Sequence, residues 1–245
     1  MRHTFRYLVA DRPEAGDVVD LSPQDAHHLS RVVRRRPGDP VELIGPDGRL
    51  WPAVVVRTDP VAAVRATGEG AVPAAPRVAL YQGLAEWGRL DTVAEKAVEM
   101  GVGPLTLFAS ERARRVPDTA AWERRRERLE RVERAAARQS GGTTGGRVRG
   151  LLAFSQVVAE IPAGEGFLID PRGEAPLPSA VAAGGASARV ALVVGPEAGF
   201  SEAEVARARE GGLAVCHLGS TTLRAETAAI AAMAIACAPA WEAAP

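Results

Sequence analysis

The chain reads as an α/β protein with a smaller, strand-rich unit in front, and three observations predict this. Short apolar runs separated by turn signals fill residues 3–66. Thr67 to Pro76, rich in Gly, Ala and Pro, then ends that pattern and reads as a linker. From Val78 onward, strand-like apolar runs alternate with helix-length amphipathic segments. With 245 residues, 47% of them hydrophobic, the chain has room for one large or two modest domains and enough apolar surface for a sizeable core.

In the front part, Thr4 to Val9 and Val18 to Leu21 are apolar-rich enough for short strands. Val41 to Ile44 and Trp51 to Arg57 flank Gly45-Pro46-Asp47-Gly48, a strong turn signal, and read as a strand pair. Between them lies one helix, with Ser22 as N-cap, Pro23 at the first helical position and Asp25 at the third, running to about Arg35. A small β-barrel carrying one helix is the economical reading. Behind the linker, Val78 to Gln82 is a strand. Leu90 to Met100 is a helix with Leu90, Val93, Ala94 and Ala97 on one face, stopped by Gly101. Leu105 to Phe108 is a strand, and a long helix covers Ala120 to about Gln139. Phe167 to Ile169, Val190 to Val194 and Ala214 to Leu218 are strands. The Ser-x-x-Glu pattern at Ser201 to Glu204 is a capping box opening a helix to about Glu210, and Ala225 to Ala238 forms the closing helix. This alternation predicts a mostly parallel sheet, whose ligand sites lie beyond the carboxyl ends of its strands.

Composition narrows the function classes. No run of eighteen or more apolar residues is present and Arg2, Arg6 and Arg12 interrupt the start, so a membrane span and a secretory signal are not expected. Cys216 and Cys237 form neither a CxxC pair nor a disulfide framework. A cytoplasmic protein is expected. Formal net charge is zero, but cations cluster: Arg31 to Arg36 holds four arginines and no acid, next to His27 and His28. Such a run suits phosphate oxygens and points to a polyanion. Arg112 to Arg138 holds ten arginines against five acids, and there a solvated helix laced with Arg–Glu pairs stands equal to a polyanion surface.

Two loops carry the site. Gly195-Pro196-Glu197-Ala198-Gly199-Phe200 follows the strand ending at Val194, and Leu218-Gly219-Ser220-Thr221-Thr222-Leu223-Arg224-Ala225-Glu226-Thr227-Ala228 lies between a strand and the closing helix. Each is a Gly-containing loop with a carboxylate at a strand's carboxyl end, the position where α/β sheets bind ligands. The P-loop, the dinucleotide GxGxxG and the hydrolase GxSxG patterns are absent. His3, His27, His28 and His217 lack zinc-site spacing, so no metal is expected. The Gly141-Gly142-Thr143-Thr144-Gly145-Gly146 run could cradle a phosphate, although composition favours a surface loop. A site of backbone groups without nucleophile or metal suits a reaction driven by its cofactor, such as methyl transfer from a sulfonium.

These residues resemble a known family. Gly195 to Phe200 is similar to the GPEGGF loop, and Leu218 to Ala228 to the LGxRILRxETA loop, of SPOUT-class RNA methyltransferases. The resemblance is closest to the bacterial family that methylates N3 of a uridine in 16S ribosomal RNA. Glu95 to Val102 resembles its QKATELGV helix end, Ala137 to Gly141 its EQSGR element, and His27 to Arg34 with Gly38-Asp39 its HHLxxVLRxxxGD segment. The resemblance implies a PUA-like RNA-binding barrel over 1–73 and a SPOUT domain over 74–245 whose C-terminal segment forms a trefoil knot. It also implies a homodimer that binds S-adenosylmethionine and acts on 16S rRNA or the assembled small ribosomal subunit, without membrane attachment.

Matched motif by motif, Gly195, Glu197, Gly199, Leu218, Gly219 and Leu223 would line the cofactor pocket. Arg224 would stabilise the developing uracil anion. Glu226 or Glu197 would accept a proton or fix the base. For Glu226, favourable charge in the first turn of a helix is the competing role. His27, His28, Arg31, Arg34, Arg35 and Arg36 would bind RNA.

Four departures stand out. Thr221-Thr222 replaces Arg-Ile, Ala198 replaces a glycine, Glu86-Trp87-Gly88-Arg89 stands where the family has Lys-Gly, and Gly142 replaces an arginine. Alternatives are a SPOUT methyltransferase with another RNA target, or an RNA-binding relative without catalysis.

Overall fold

Two separate sheets account for the strands. The computed structural model describes residues 5–72, 77–113, 115–140, 148–185 and 189–242. The chain divides into two units, Met1–Ala74 with Ala137–Thr143, and Ala75–Ala136 with Thr144–Pro245. The Gly141 to Gly146 run, Gly142 among the departures, and Pro73 to Pro76 of the expected linker lie outside the described residues.

The first unit contains β1 (Arg6–Leu8), β2 (Val18–Asp20), α1 (Pro23–His27), β3 (Pro40–Ile44), β4 (Leu50–Arg57) and β5 (Ala63–Ala66). Its five strands form one sheet in the order β1-β3-β4-β5-β2, with β1 and β3 parallel and the other pairs antiparallel. The β3–β4 pair turns at Gly45-Pro46-Asp47-Gly48, as the sequence predicts. Trp51, Tyr7, Leu29 and Leu43 fill the core of this unit.

The helix predicted from Ser22 to Arg35 is shorter. Its start is as expected, with the Asp25 N–H donating to Ser22 Oγ at 3.1 Å. After His27 the coil widens into a π-helical turn, His28–Val32. The Arg35 N–H then bonds the Leu29 carbonyl while Arg34 takes a positive φ of 53°. This left-handed end is one residue wider than a Schellman motif, as the π-helical turn before it requires, and it closes the helix before Pro37.

The second unit runs β6 (Val78–Gly83), α2 (Trp87–Glu99), β7 (Leu105–Ala109), α3 (Thr119–Ser140), β8 (Val148–Ala153), α4 (Phe154–Glu160), β9 (Gly166–Ile169), β10 (Ala175–Pro176), α5 (Leu177–Ala183), β11 (Val190–Val194), α6 (Glu202–Glu210), β12 (Ala214–His217) and α7 (Ala225–Glu242). All seven strands pair in parallel, in the order β10-β12-β9-β11-β6-β7-β8. Alternate residues of β11 serve opposite cores: Val190, Leu192 and Val194 face the side of α2, α5 and α7, and Ala191 and Val193 the side of α4 and α6. Every β11 residue is buried, which explains its unbroken apolar run.

β8, α4, β10 and α5 are not predicted by the sequence reading. β8 is an edge strand carrying Gly150 at positive φ and a register shift, so it shows no clean alternation. α2 begins three residues before the predicted Leu90, and α7 extends past the predicted Ala238 through Pro239 to Glu242. The capping box of α6 forms as predicted: Glu204 N–H donates to Ser201 Oγ at 3.0 Å, and Ser201 N–H to Glu204 Oε2 at 2.9 Å. Among the described residues, no helix is long and apolar enough to cross a membrane.

Candidate cofactor pocket and basic groove

The carboxyl ends of β9, β11 and β12 open into one pocket of about 440 Å³. Beyond β11, Gln82 of β6 holds the loop. It is fully buried, lies opposite Val194, and donates from Nε2 to the Gly195 carbonyl at 3.1 Å. The Gly199 N–H closes a turn onto the Pro196 carbonyl at 2.9 Å, with Gly199 at φ 65°. Ala198 has no such requirement, because Arg34 is the single non-glycine residue at positive φ among the described residues. The alanine that replaces a family glycine is therefore conformationally harmless. Gly195 does need to be small: a Cβ there would lie 2.9 Å from the Phe200 ring, which stacks among Phe108 and Phe154.

Beyond β12, the Gly219 N–H donates to His217 Nδ1 at 3.1 Å, and Gly219 adopts φ 124°. Ser220, Thr221 and Thr222 are exposed, and Arg224 immediately precedes α7, accepting its first backbone bond from Ala228. Beyond β9, Asp170 is buried and lines the pocket. Its carboxylate accepts from Arg172 Nε at 2.7 Å and Nη2 at 2.8 Å, and the same Nη2 donates to the Phe200 carbonyl at 2.9 Å. Burial by itself pushes the Asp170 carboxyl up, but the Arg172 hydrogen bonds and charge outweigh it and hold the group below its ordinary value.

Gly195, Glu197, Gly199, Leu218, Gly219 and Leu223 all line this one pocket, and so does Arg224. Glu226 does not line it. It stands on the first turn of α7 with both carboxylate oxygens on Arg89 Nη1, at 3.2 and 2.9 Å. Arg89 also reaches Glu86 at 3.2 Å and lies 3.6 Å from Glu197, while Glu197 Oε1 accepts the Glu86 N–H at 2.9 Å. One guanidinium thus ties the β6–α2 loop, the β11 loop and the start of α7. Burial pushes the Glu226 carboxyl up, but its backbone hydrogen bond, the Arg89 bonds and the charges of Arg89 and Arg224 hold it below the ordinary range.

Sequence reading missed Arg89 and Asp170 as pocket residues. A signal existed for Asp170, a carboxylate directly after the predicted strand Phe167–Ile169. Arg89 carried none, since the two partners that bring it to the pocket, Glu197 and Glu226, lie more than a hundred residues away in sequence.

The cation run of the first unit does not act as one surface. His27, Arg31 and Arg35, spaced at four-residue intervals, line a groove of about 650 Å³ with Ser30, Leu21, Pro23 and the 58–61 loop. Arg34 and Arg36 are exposed but do not line it. His28 turns inward, edge-on to Phe5 and Tyr7, with the Tyr7 hydroxyl 3.5 Å from its Nδ1. Arg35 stacks over the Phe5 ring at 4.9 Å and lies 4.0 Å from Asp39. On α3 the acids do pair with arginines: Arg126 bonds Glu123 and Glu130, Arg134 lies 3.8 Å from Glu130, and Arg128 reaches Asp91 on α2.

A family model described as an RNA methyltransferase domain matches residues 73–237. A Bacillus subtilis protein named ribosomal RNA small subunit methyltransferase E is 26% identical over 95% of this chain and 94% of its own length. A Mycobacterium bovis protein of the same name is 29% identical over 93% of this chain and 88% of its own length. Among solved structures, a ribosomal RNA small subunit methyltransferase E from Neisseria gonorrhoeae bound to S-adenosyl methionine is 25% identical. Its TM-score is 0.73, and the match covers 95% of this chain and 96% of that one.

Proposed function

We propose, from the premise that this chain belongs to the RNA methyltransferase domain family, that it methylates N3 of a uridine in 16S ribosomal RNA with S-adenosylmethionine as donor. The observation that carries this reading is the single pocket formed by the two loops beyond β11 and β12, the parallel strands on either side of β9. The relatives named for small-subunit rRNA supply the substrate class.

The pocket fits the cofactor on its own chemistry. Its volume is in the range of small-molecule sites, and Leu218, Leu223, Ala225 and Ala228 give apolar surface for a purine. Gly195, Gly199 and Gly219 expose backbone groups, and Glu197 and Asp170 offer acceptors to cationic or hydroxyl groups. When bound, S-adenosylmethionine supplies a methyl group activated on a sulfonium. The protein's part is to align the acceptor and stabilise its charge. Uracil N3 must lose its proton, and Arg224, lining the pocket at the start of α7, sets a positive charge where the uracil anion develops. Glu226 is held ionised by Arg89 and stands behind the pocket wall, so it acts as a positioning group. Glu197 lines the pocket and has Oε1 taken by the Glu86 N–H, which leaves Oε2 to accept the N3 proton.

The finer architecture follows the same reading. β11 inserts between β6 and β9, and β12 between β9 and β10, an order that supports a threaded, knotted C-terminal segment. The five-stranded sheet with one helix supports a PUA-like barrel, and the groove of His27, Arg31 and Arg35 supports its contact with RNA. α7 is apolar nearly all round, with Ile230 and Ile235 half-buried and Trp241 exposed, which supports a homodimer covering it. Work on 16S rRNA or the assembled small subunit places the protein in the cytoplasm. Thr221 and Thr222 line the pocket where the resemblance has Arg-Ile, and this favours, as a second reading, a different target nucleotide.

The test is calorimetry with S-adenosylmethionine together with reverse transcription of small-subunit rRNA from a deletion strain. Micromolar binding and loss of one reverse-transcription stop are expected, because an N3 methyl blocks the Watson–Crick edge. No cofactor uptake would sink the enzyme reading, and an unchanged stop pattern would sink the substrate.

A further inference from the structure

We propose that Arg125, held against Trp87, is a phosphate-binding residue that grips the RNA strand beside the methylated nucleotide, with Arg124 and Arg131 extending the grip along α3. This rests on the reading of the chain as an RNA methyltransferase. The arginines of α3 divide into two sets. Arg126, Arg128 and Arg134 each have a carboxylate within 4.0 Å. Among the described residues, Arg124, Arg125 and Arg131 have none, and all three are exposed. Arg131 donates from Nε only to the Glu127 backbone carbonyl at 3.4 Å, and the Glu127 side chain pairs with none of them among the described residues. Arg124 and Arg131 lie on one helix face, two turns or ~10.5 Å apart.

Arg125 is the informative member. Its guanidinium sits over the Trp87 ring, 4.8 Å from the centroid. Stacking of this kind fixes the side chain through its planar face and leaves all five N–H donors at the edge available. An ion pair would have neutralised the charge; the aromatic ring orients it and leaves it uncompensated. A cation that is ordered but not neutralised is preorganised for an incoming anion.

Its place agrees with that role. Trp87 packs on the core of the α/β unit and opens α2, two residues before Arg89, which lines the methyl pocket. The preceding Glu86 is tied by its N–H to Glu197 in that pocket. A strand that delivers a base into the pocket carries its next phosphates past this rim. The Glu86-Trp87-Gly88-Arg89 stretch that stands at the Lys-Gly position commits its own arginine to Glu226, and Trp87 brings a further cation from α3.

The test is fluorescence anisotropy of the full chain with a single-stranded, uridine-containing RNA oligonucleotide across a salt series, with S-adenosylmethionine calorimetry in parallel. Arg125→Gln should weaken RNA binding about tenfold, the loss expected for one hydrogen bond between charged groups. It should also reduce the slope of log affinity against log salt by about 0.7, one phosphate contact. Cofactor affinity should not change, and the melting temperature should fall by no more than a few degrees, the loss of one exposed cation–π contact. Arg125→Lys, which keeps the charge without the planar fork, should fall between the two. Arg124→Gln with Arg131→Gln should lower the slope by a further ~1.4. An Arg125→Gln variant with the wild-type slope would overturn the proposal while leaving the methyltransferase reading intact. Loss of cofactor binding together with RNA binding would show a structural role and overturn it as well. A wild-type chain that binds neither ligand would overturn both.

Discussion

Gly219→Ala isolates what the second loop demands of its backbone. A Cβ at this position would meet no atom within 4 Å, so steric crowding contributes nothing. The whole cost is torsional: φ is 124°, a region that residues with a side chain rarely adopt, at about 1–3 kcal/mol. Two responses are open to the variant. A rigid loop would keep its shape, lower the stability by that amount and leave ligand affinity unchanged. A soft loop would relax to negative φ, giving up the Gly219 N–H bond to His217 and turning the Leu218–Leu223 segment away from its ligand-bound shape.

The exposed Ser220, Thr221 and Thr222, with little packed around them, favour relaxation. Binding must then restore the strained φ, so the torsional cost appears in the dissociation constant, about 5-fold to 150-fold. Calorimetric titration with S-adenosylmethionine measures this, and a thermal melt of the same sample should move little. Gly88→Ala is the control, since Gly88 lies inside α2, has no positive φ and leaves room for a Cβ; it should raise the melting temperature slightly and leave affinity alone. A Gly219→Ala dissociation constant within twofold of wild type would refute the claim that the pocket needs this conformation.

The Arg89–Glu226 pair carries a pH signature. Its folded carboxyl is depressed, so its contribution to stability is complete above the ordinary value near 4.5 and disappears as pH falls through the folded value. Urea unfolding at pH 7 should therefore separate wild type from Glu226→Gln, and the gap should shrink steadily below pH 4.5; a constant gap would contradict the assignment. Glu204→Gln should cost about 1–3 kcal/mol, because its carboxylate accepts both the Ser201 and the Glu111 N–H, at 2.9 Å each, and an amide oxygen cannot serve both sides. Differential scanning calorimetry should show a fall of several degrees. His217→Ala removes the acceptor of the Gly219 N–H and should weaken cofactor affinity about fivefold, roughly 1 kcal/mol, while leaving the Arg125-dependent salt slope of RNA binding untouched.

Local chemistry was legible in the sequence wherever it involves neighbours. Ser22, Ser201 with Glu204, and the Gly45 to Gly48 turn act within four residues, and their predicted bonds form. The all-apolar β11 announced a strand buried on both faces, and the two Gly-containing loops were placed at strand ends because strand and helix periods change there. What stayed hidden depends on partners distant in sequence. The helix after Ser22 stops early because the chain can fold Arg34 into a left-handed end, a tertiary choice that propensity does not encode. β8 is masked by an internal glycine and an edge position. The division of the His27 to Arg36 cations, three to the groove, two to solvent and His28 inward, follows from a π-helical turn that no hydrophobic period signals.

Arg89 shows why a motif can identify a site and still misassign its chemistry. Read as a string, Arg224 and Glu226 look like a catalytic pair two residues apart. In the fold, Arg224 immediately precedes α7 and Glu226 sits on its first turn, about 200° further round at helical spacing, so the two do not face the pocket together. Arg224 lines the pocket, and Glu226 turns to Arg89, a cation supplied from α2. A carboxylate committed to a guanidinium is a poor proton acceptor, since any proton it takes must displace that pair. Glu197, on the other loop and nearly thirty residues earlier, does line the pocket; its Oε1 accepts the Glu86 N–H and lies 3.6 Å from Arg89, and Oε2 is the oxygen left to take a proton. Glu197→Gln should then depress kcat at neutral pH far more than Glu226→Gln does. The opposite pattern in a methyl-transfer assay would return the proton to Glu226 and leave Arg89 as the group that tunes it.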